Sequence, residues 1–209
     1  MRRALAGLAT VAATLLLAAC LTTTSTSGSR TAGGASQVSE GRVDVDTPAL
    51  RELKASARIA ACSPGTSTNR LPEVTLPCLG GGPAVDLARL RGPMVINLFA
   101  DWCTPCRGEL PYFQRLHEDG RDVVGVLGVD YLDPDPGPAL ELARSAGVTY
   151  PLLADPGGAL RTPLRIRGLP GVVLLRRNGT VATVQFRVFR SYAELRALVQ
   201  QRLGVTLGA

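Results

Sequence analysis

Cys103 and Cys106 stand two residues apart in Trp102-Cys103-Thr104-Pro105-Cys106, close enough for their sulfurs to make and break a bond with each other. Exchange of disulfides begins with attack of a thiolate on sulfur, so the first cysteine has to ionise near ambient pH and stay accessible. The flanking residues suit that demand. Met94–Phe99 is a short run of strand formers, and residues 102–116 follow as a helix bent or interrupted near Pro111. Cys103 thereby lies where a strand gives way to a helix. Unpaired backbone N–H groups and the macrodipole there favour its anion, and a shift from about 8.5 to about 7 raises the thiolate share at neutral pH from roughly 3% to roughly half. Pro105 falls in the first turn, where a missing N–H costs little, and it stiffens the loop between the sulfurs. Cys103 is the expected nucleophile and Cys106 the resolving thiol.

The chain has five cysteines, an odd number for a secreted protein unless one is otherwise committed. Cys20 is the candidate for that commitment. Residues 4–19 form an almost unbroken apolar run behind Met1-Arg2-Arg3, shorter than the roughly 20 residues of a spanning helix, and read as a signal peptide. The run closes on Leu17-Ala18-Ala19-Cys20, which resembles the bacterial lipobox, where the cysteine is lipidated and becomes the new N-terminus. Ordinary cleavage after Ala19, giving a secreted protein, is the alternative. With Cys103 and Cys106 paired locally, Cys62 is left with Cys78, expected as a structural disulfide closing a loop of about 17 residues and worth about 3 kcal/mol. A second exchanging pair that relays electrons to Cys103 and Cys106 is the other reading. No metal is expected: Cys62 and Cys78 each lack a close second ligand, and His117 is the only histidine.

Four segments follow from composition. Residues 1–20 form the signal peptide, 21–45 a Thr/Ser/Gly-rich flexible tether, 46–70 an N-terminal extension with a helix from Pro48 to about Ala61, and 71–207 the folded domain. With 209 residues and 45% hydrophobic content, the chain can enclose one core. The formal charge is +6; removing Arg2 and Arg3 leaves 21 basic against 17 acidic residues, an excess of four. That excess is mild and its arginines are dispersed between apolar positions, so no nucleic-acid partner is expected.

Within the domain, residues 123–129 read as a buried parallel strand, and 139–146 as a helix completing a βαβα pattern. Residues 157–165 are expected to form a further helix. Asn178-Gly179 marks a hairpin between residues 172–175 and 181–186, and residues 191–203 close as an amphipathic helix. The expected fold class is α/β, a central mixed sheet flanked by helices with an N-terminal extension.

This order, with the C-x-x-C at the start of the first long helix and Gly168-Leu169-Pro170 ahead of the final hairpin, resembles the thioredoxin fold. More narrowly, Val85-Asp86-Leu87, Leu90-Arg91-Gly92, Glu109-Leu110-Pro111 and Arg167-Gly168-Leu169-Pro170 are similar to the TlpA/ResA-type thiol-disulfide oxidoreductases of bacterial envelopes. The resemblance implies several things. Pro170 is cis and faces the disulfide, with the Leu169 backbone pairing with a substrate strand. Glu109 lies near the disulfide and tunes thiol ionisation, a role sharpened because Asn97 stands where thioredoxin carries a buried aspartate and an amide cannot accept a proton at working pH. Trp102 shields one side of the disulfide, and Phe99 is plain core. No cofactor is implied beyond the two sulfurs.

The implied activity is reduction of protein disulfides on the extracytoplasmic face of the bacterial membrane, to which the lipid anchors the chain. The implied partners are envelope proteins, apocytochromes among them, and a membrane-bound thiol electron donor. Thr104-Pro105 does not fix the potential, so an oxidase or isomerase uses the same residues. A thiol peroxidase of this fold has a threonine three residues before its cysteine, where this chain has Ala100. A redox-inactive module holding peptides at Leu169 and Pro170 is the reading from a different class; with both cysteines present, an inert pair in an insulin-reduction assay would be its signature.

Overall fold

The computed structural model describes residues 43–208; the signal segment, Cys20 and nearly all of the expected tether lie outside the described residues. In chain order the elements are α1 (Pro48–Ser56), β1 (Thr75–Leu76), β2 (Val85–Asp86), β3 (Met94–Phe99), α2 (Thr104–Asp119), β4 (Gly125–Tyr131), α3 (Pro136–Ser145), β5 (Leu152–Asp155), β6 (Gly171–Leu175), β7 (Val181–Gln185) and α4 (Tyr192–Leu203).

Five strands make one mixed sheet in the order β5-β4-β3-β6-β7, with β1 and β2 paired apart from it. β3, β4 and β5 are parallel, and β6 and β7 run antiparallel to them. Each parallel step moves the chain the same way across the sheet, so right-handed crossovers put α2 and α3 on the same face. Strand alternation sorts the core accordingly. Val95 and Phe99 of β3, Val126 of β4 and Val172 and Leu174 of β6 meet Leu110 and Phe113 of α2, Leu140 of α3 and Leu195 of α4. Ile96, Leu98, Leu127, Val129, Val173 and Leu175 point to the opposite face.

That opposite face is covered largely without helices. Leu71, Leu76, Val85, Leu87 and Leu90 come from the segment before β3, and Leu160, Leu164 and Ile166 from the stretch after β5. The helix expected over residues 157–165 is a run of turns instead. Gly158 takes φ +69° and Arg165 φ +52°, and Pro163 removes a backbone donor, so a regular ladder cannot extend through the segment. The buried Asp155 carboxylate holds it in place, accepting from Ala159 N at 2.7 Å and Leu160 N at 3.0 Å.

Other boundaries moved for local reasons. α1 ends at Ser56 rather than near Ala61, is capped by the Thr47 hydroxyl, and is packed through Leu50 into the core. α2 passes through Pro111 unbroken. Pro111 is exposed, so the missing bond to the Arg107 carbonyl falls on the solvent side. β4 starts at Gly125 because Val123 N and Val124 N both turn onto the Gly120 carbonyl at 2.8 Å. β5 escaped the sequence reading altogether: its four residues, Leu-Leu-Ala-Asp, show no period. Gly179 at φ +79° closes the β6–β7 hairpin after Asn178.

Candidate active site

Cys103 is the N-cap of α2, and Thr104 and Pro105 open its first turn. Cys103 and Cys106 are joined by a disulfide with Cα atoms 5.3 Å apart, and Cys103 Sγ accepts from Cys106 N at 3.3 Å. A single orphan N–H of the helix start thus already points at the sulfur that would carry negative charge after reduction. The accessibility expected of Cys103 is not what the oxidised form has. The residue is only 4% exposed and Cys106 only 1%, both being part of the apolar cluster under α2.

Trp102 is 52% exposed, so it stands on the surface beside the disulfide. Its indole N–H donates to the Leu132 carbonyl at 3.1 Å, tying the loop before α2 to the loop after β4. Phe99 is fully buried core. Leu169-Pro170 is a cis peptide bond, and a second cis bond at Gly92-Pro93 precedes β3. Gly171 pairs with Leu98, which brings Pro170 level with Phe99, at the sheet end from which residues 100–103 lead into α2.

Glu109 lies one turn beyond Cys106 on the same side of α2 and is 2% exposed. Burial pushes its carboxyl up to about 7, against the opposing pull of a bond donated by Phe189 N and of the Arg187 guanidinium. Arg187 in turn lies 4.7 Å over the Phe189 ring. Asn97 is buried between Val95 and Phe99 on the α2 side of β3, and its Nδ2 has no hydrogen-bond partner among the described residues.

The sequence reading missed a second acidic group at this end of the sheet. Asp133 is buried, and its carboxylate accepts from Asp101 N at 3.1 Å and Asp135 N at 3.1 Å. Asp130, 1% exposed at the end of β4, is held well above the ordinary carboxylate range by burial first and then by the Asp133 and Asp101 carboxyls. The signal was present: an aspartate inside Gly-Val-Leu-Gly-Val-Asp-Tyr, at the carboxyl end of a buried parallel strand.

The other two described cysteines sit elsewhere. Cys62 and Cys78 are joined with Cα atoms 5.9 Å apart and a sequence separation of 16, and both are buried on the opposite face of the sheet. Cys78 bridges Leu153, and Leu79 N and Ala154 N bond Leu152 and Pro77 carbonyls, so this segment closes the outer edge of β5.

A mixed sheet with a C-x-x-C disulfide at the start of α2 and a cis-proline ahead of β6 defines a thioredoxin-like domain with a dithiol site. Residues 68–184 match the AhpC/TSA family, and the chain belongs to it. It is 32% identical over 101 residues to the thiol:disulfide interchange protein CycY of Rhizobium leguminosarum bv. viciae, covering 47% of this chain and 53% of that one. The thiol:disulfide interchange protein DsbE of Pseudomonas fluorescens biotype C is 32% identical over 112 residues, covering 53% and 61%. The chain therefore spans little more than half the length of these relatives. Among solved structures, a secreted Mycobacterium tuberculosis disulfide oxidoreductase homologous to E. coli DsbE superposes with a TM-score of 0.56 at 23% identity, over 62% of this chain and 96% of that one.

Proposed function

We propose that this chain is an extracytoplasmic thiol-disulfide oxidoreductase of the TlpA/ResA type that reduces protein disulfides through Cys103 and Cys106. The observation that carries the reading is the disulfide capped onto the first turn of α2, at the sheet end that also bears cis-Pro170. The names of the thiol:disulfide interchange relatives agree with it.

In the reduced protein, Cys103 thiolate attacks one sulfur of a client disulfide; the other client sulfur departs as a thiolate and takes up a proton. Cys106, deprotonated, then attacks Cys103 Sγ and expels the second client thiolate, which is protonated in turn. Two electrons pass to the client and the protein is left oxidised. Glu109 is suited to accept the Cys106 proton, since a carboxyl poised at about 7 exchanges protons at neutral pH and the neighbouring Asn97 cannot. Trp102 and Leu169 border the client, with the Leu169 backbone pairing to its strand. A membrane-bound thiol donor restores the dithiol, and envelope proteins such as apocytochromes are the clients.

Cys20 as a lipid anchor would hold the domain at the membrane's outer face, behind the tether of residues 21–45 and the extension of residues 46–70. Two disulfides in the described chain suit an oxidising compartment. Ala100 and the adjacent resolving thiol favour exchange over peroxide chemistry.

Replacing Cys106 by Ala leaves attack intact and removes resolution. The expected result is accumulation of mixed disulfides through Cys103, visible on non-reducing gels. Absence of any such adduct, while the wild type reduces insulin, contradicts the cycle.

A further inference from the structure

β7 is an outer strand of the sheet and, among the described residues, pairs only with β6. Its outward backbone groups are thus free to take a further strand, whereas the edge of β5 is closed by residues 77–79. Beside β7 runs a cavity of about 740 Å³, floored by Leu164, Val184 and Phe186 and rimmed by Arg70, Arg165 and Arg167. It shares Arg167 and Phe186 with a second cavity of about 560 Å³ that ends on Leu169 and cis-Pro170. The three rim arginines are exposed, make no ion pair with any described residue, and share the groove with no carboxylate. Val188, in the second cavity, and Trp102, beside Cys103, are the exposed large hydrophobic residues of the described chain.

We infer that this groove is the client-docking track: an extended polypeptide segment lies along β7 with carboxylates against Arg70, Arg165 and Arg167 and alternate apolar side chains on Leu164, Val184 and Phe186. The inference rests on the exchange reading above and names its substrate class, a client whose reactive disulfide is flanked by an acidic, apolar-alternating stretch. A polypeptide is favoured over a lipid surface because the groove leads to the cysteine end of the sheet and its wall is a strand whose outer edge is open, which another extended backbone can pair with and a lipid cannot. The net excess of positive charge along it draws anionic chains.

The test uses disulfide peptides that share one cysteine-containing half and differ only in a tail alternating valine with glutamate, glutamine or lysine. Reduced wild-type protein should act on the glutamate peptide with kcat/KM about tenfold above the glutamine peptide. The lysine peptide should fall below both, and high salt should shrink the spread. In R70E/R165E the ratio between glutamate and glutamine peptides should drop to one or below. Equal rates for all tails, or a ratio unchanged in R70E/R165E, overturn the inference while leaving exchange at Cys103 standing. Failure to react with every peptide and with glutathione disulfide alike overturns the exchange reading, and this inference with it. Two further results without a tail preference also overturn it: binding to phosphatidylglycerol vesicles that R70E/R165E abolishes, which assigns the arginines to a lipid surface, or a dimer that the same variant dissociates.

Discussion

Burial holds the Glu109 carboxyl protonated up to about pH 7 in the folded chain, whereas an unfolded glutamate ionises near 4.5. A raised folded value means that stability is greatest below the unfolded value and is lost as pH climbs from about 4.5 through 7. The gap corresponds to roughly 3 kcal/mol at most. Asp130 acts in the same direction. Glu109→Gln keeps an acceptor for Phe189 N and removes the ionisation. Its stability relative to the wild type, measured by urea unfolding of the oxidised forms, should therefore improve by up to about 3 kcal/mol between pH 4 and pH 8. A flat difference across that range would mean that Glu109 ionises normally. In activity the same variant should slow resolution by Cys106 at neutral pH, seen as a longer-lived mixed disulfide in single-turnover mixing. Residues of this kind were readable to different depths. The two cysteines follow from their spacing at the start of one helix, a local property, whereas Glu109 was expected only from the family resemblance. The Asp101, Asp130 and Asp133 group comes from two strand ends 29 residues apart or more in sequence, and only the parallel pairing of β3 with β4 brings them together.

The elements that aim the site are the ones with strong periodicity. β3 was legible to the residue because Met94–Phe99 is a bounded apolar run, and α4 because Leu195, Leu198 and Val199 recur at helical spacing behind the Ser191 cap. The elements without a period were not: β5 is four buried residues, and residues 157–165 carry helix formers but are bent by Gly158, Pro163 and Arg165 into turns. The bridge between Cys62 and Cys78 does for the irregular N-terminal segment what no regular element does there. It ties residues 62–78 to the edge of β5 across a separation of 16. The double variant Cys62→Ser/Cys78→Ser should lose about 3 kcal/mol of unfolding free energy in urea, with reduction of insulin by Cys103 retained. Loss of insulin reduction with unchanged stability would assign that pair to an electron relay instead.

At the scale of the whole described domain, residues 43–208, the helices gather on one face of the sheet and irregular segments cover the other, and the candidate site lies at one end. From sequence that end was legible only as the place where one strand gives way to a helix at Cys103; the structure adds that it is the carboxyl end of the parallel strands. What covers the second face was not legible, since its residues come from turns spread over the segment before β3 and the segment after β5. Exchange requires that Cys103 and Cys106 form a working redox couple. The direct measurement is a titration of the oxidised protein in glutathione buffers, with the thiols of each cysteine pair counted by alkylation and the fluorescence of Trp102, the single tryptophan, as readout. The predicted result is one reversible two-electron transition between about -300 and about -120 mV. It should persist in Cys62→Ser/Cys78→Ser and vanish in Cys103→Ser. No reversible transition, or one carried by Cys62 and Cys78, would contradict it.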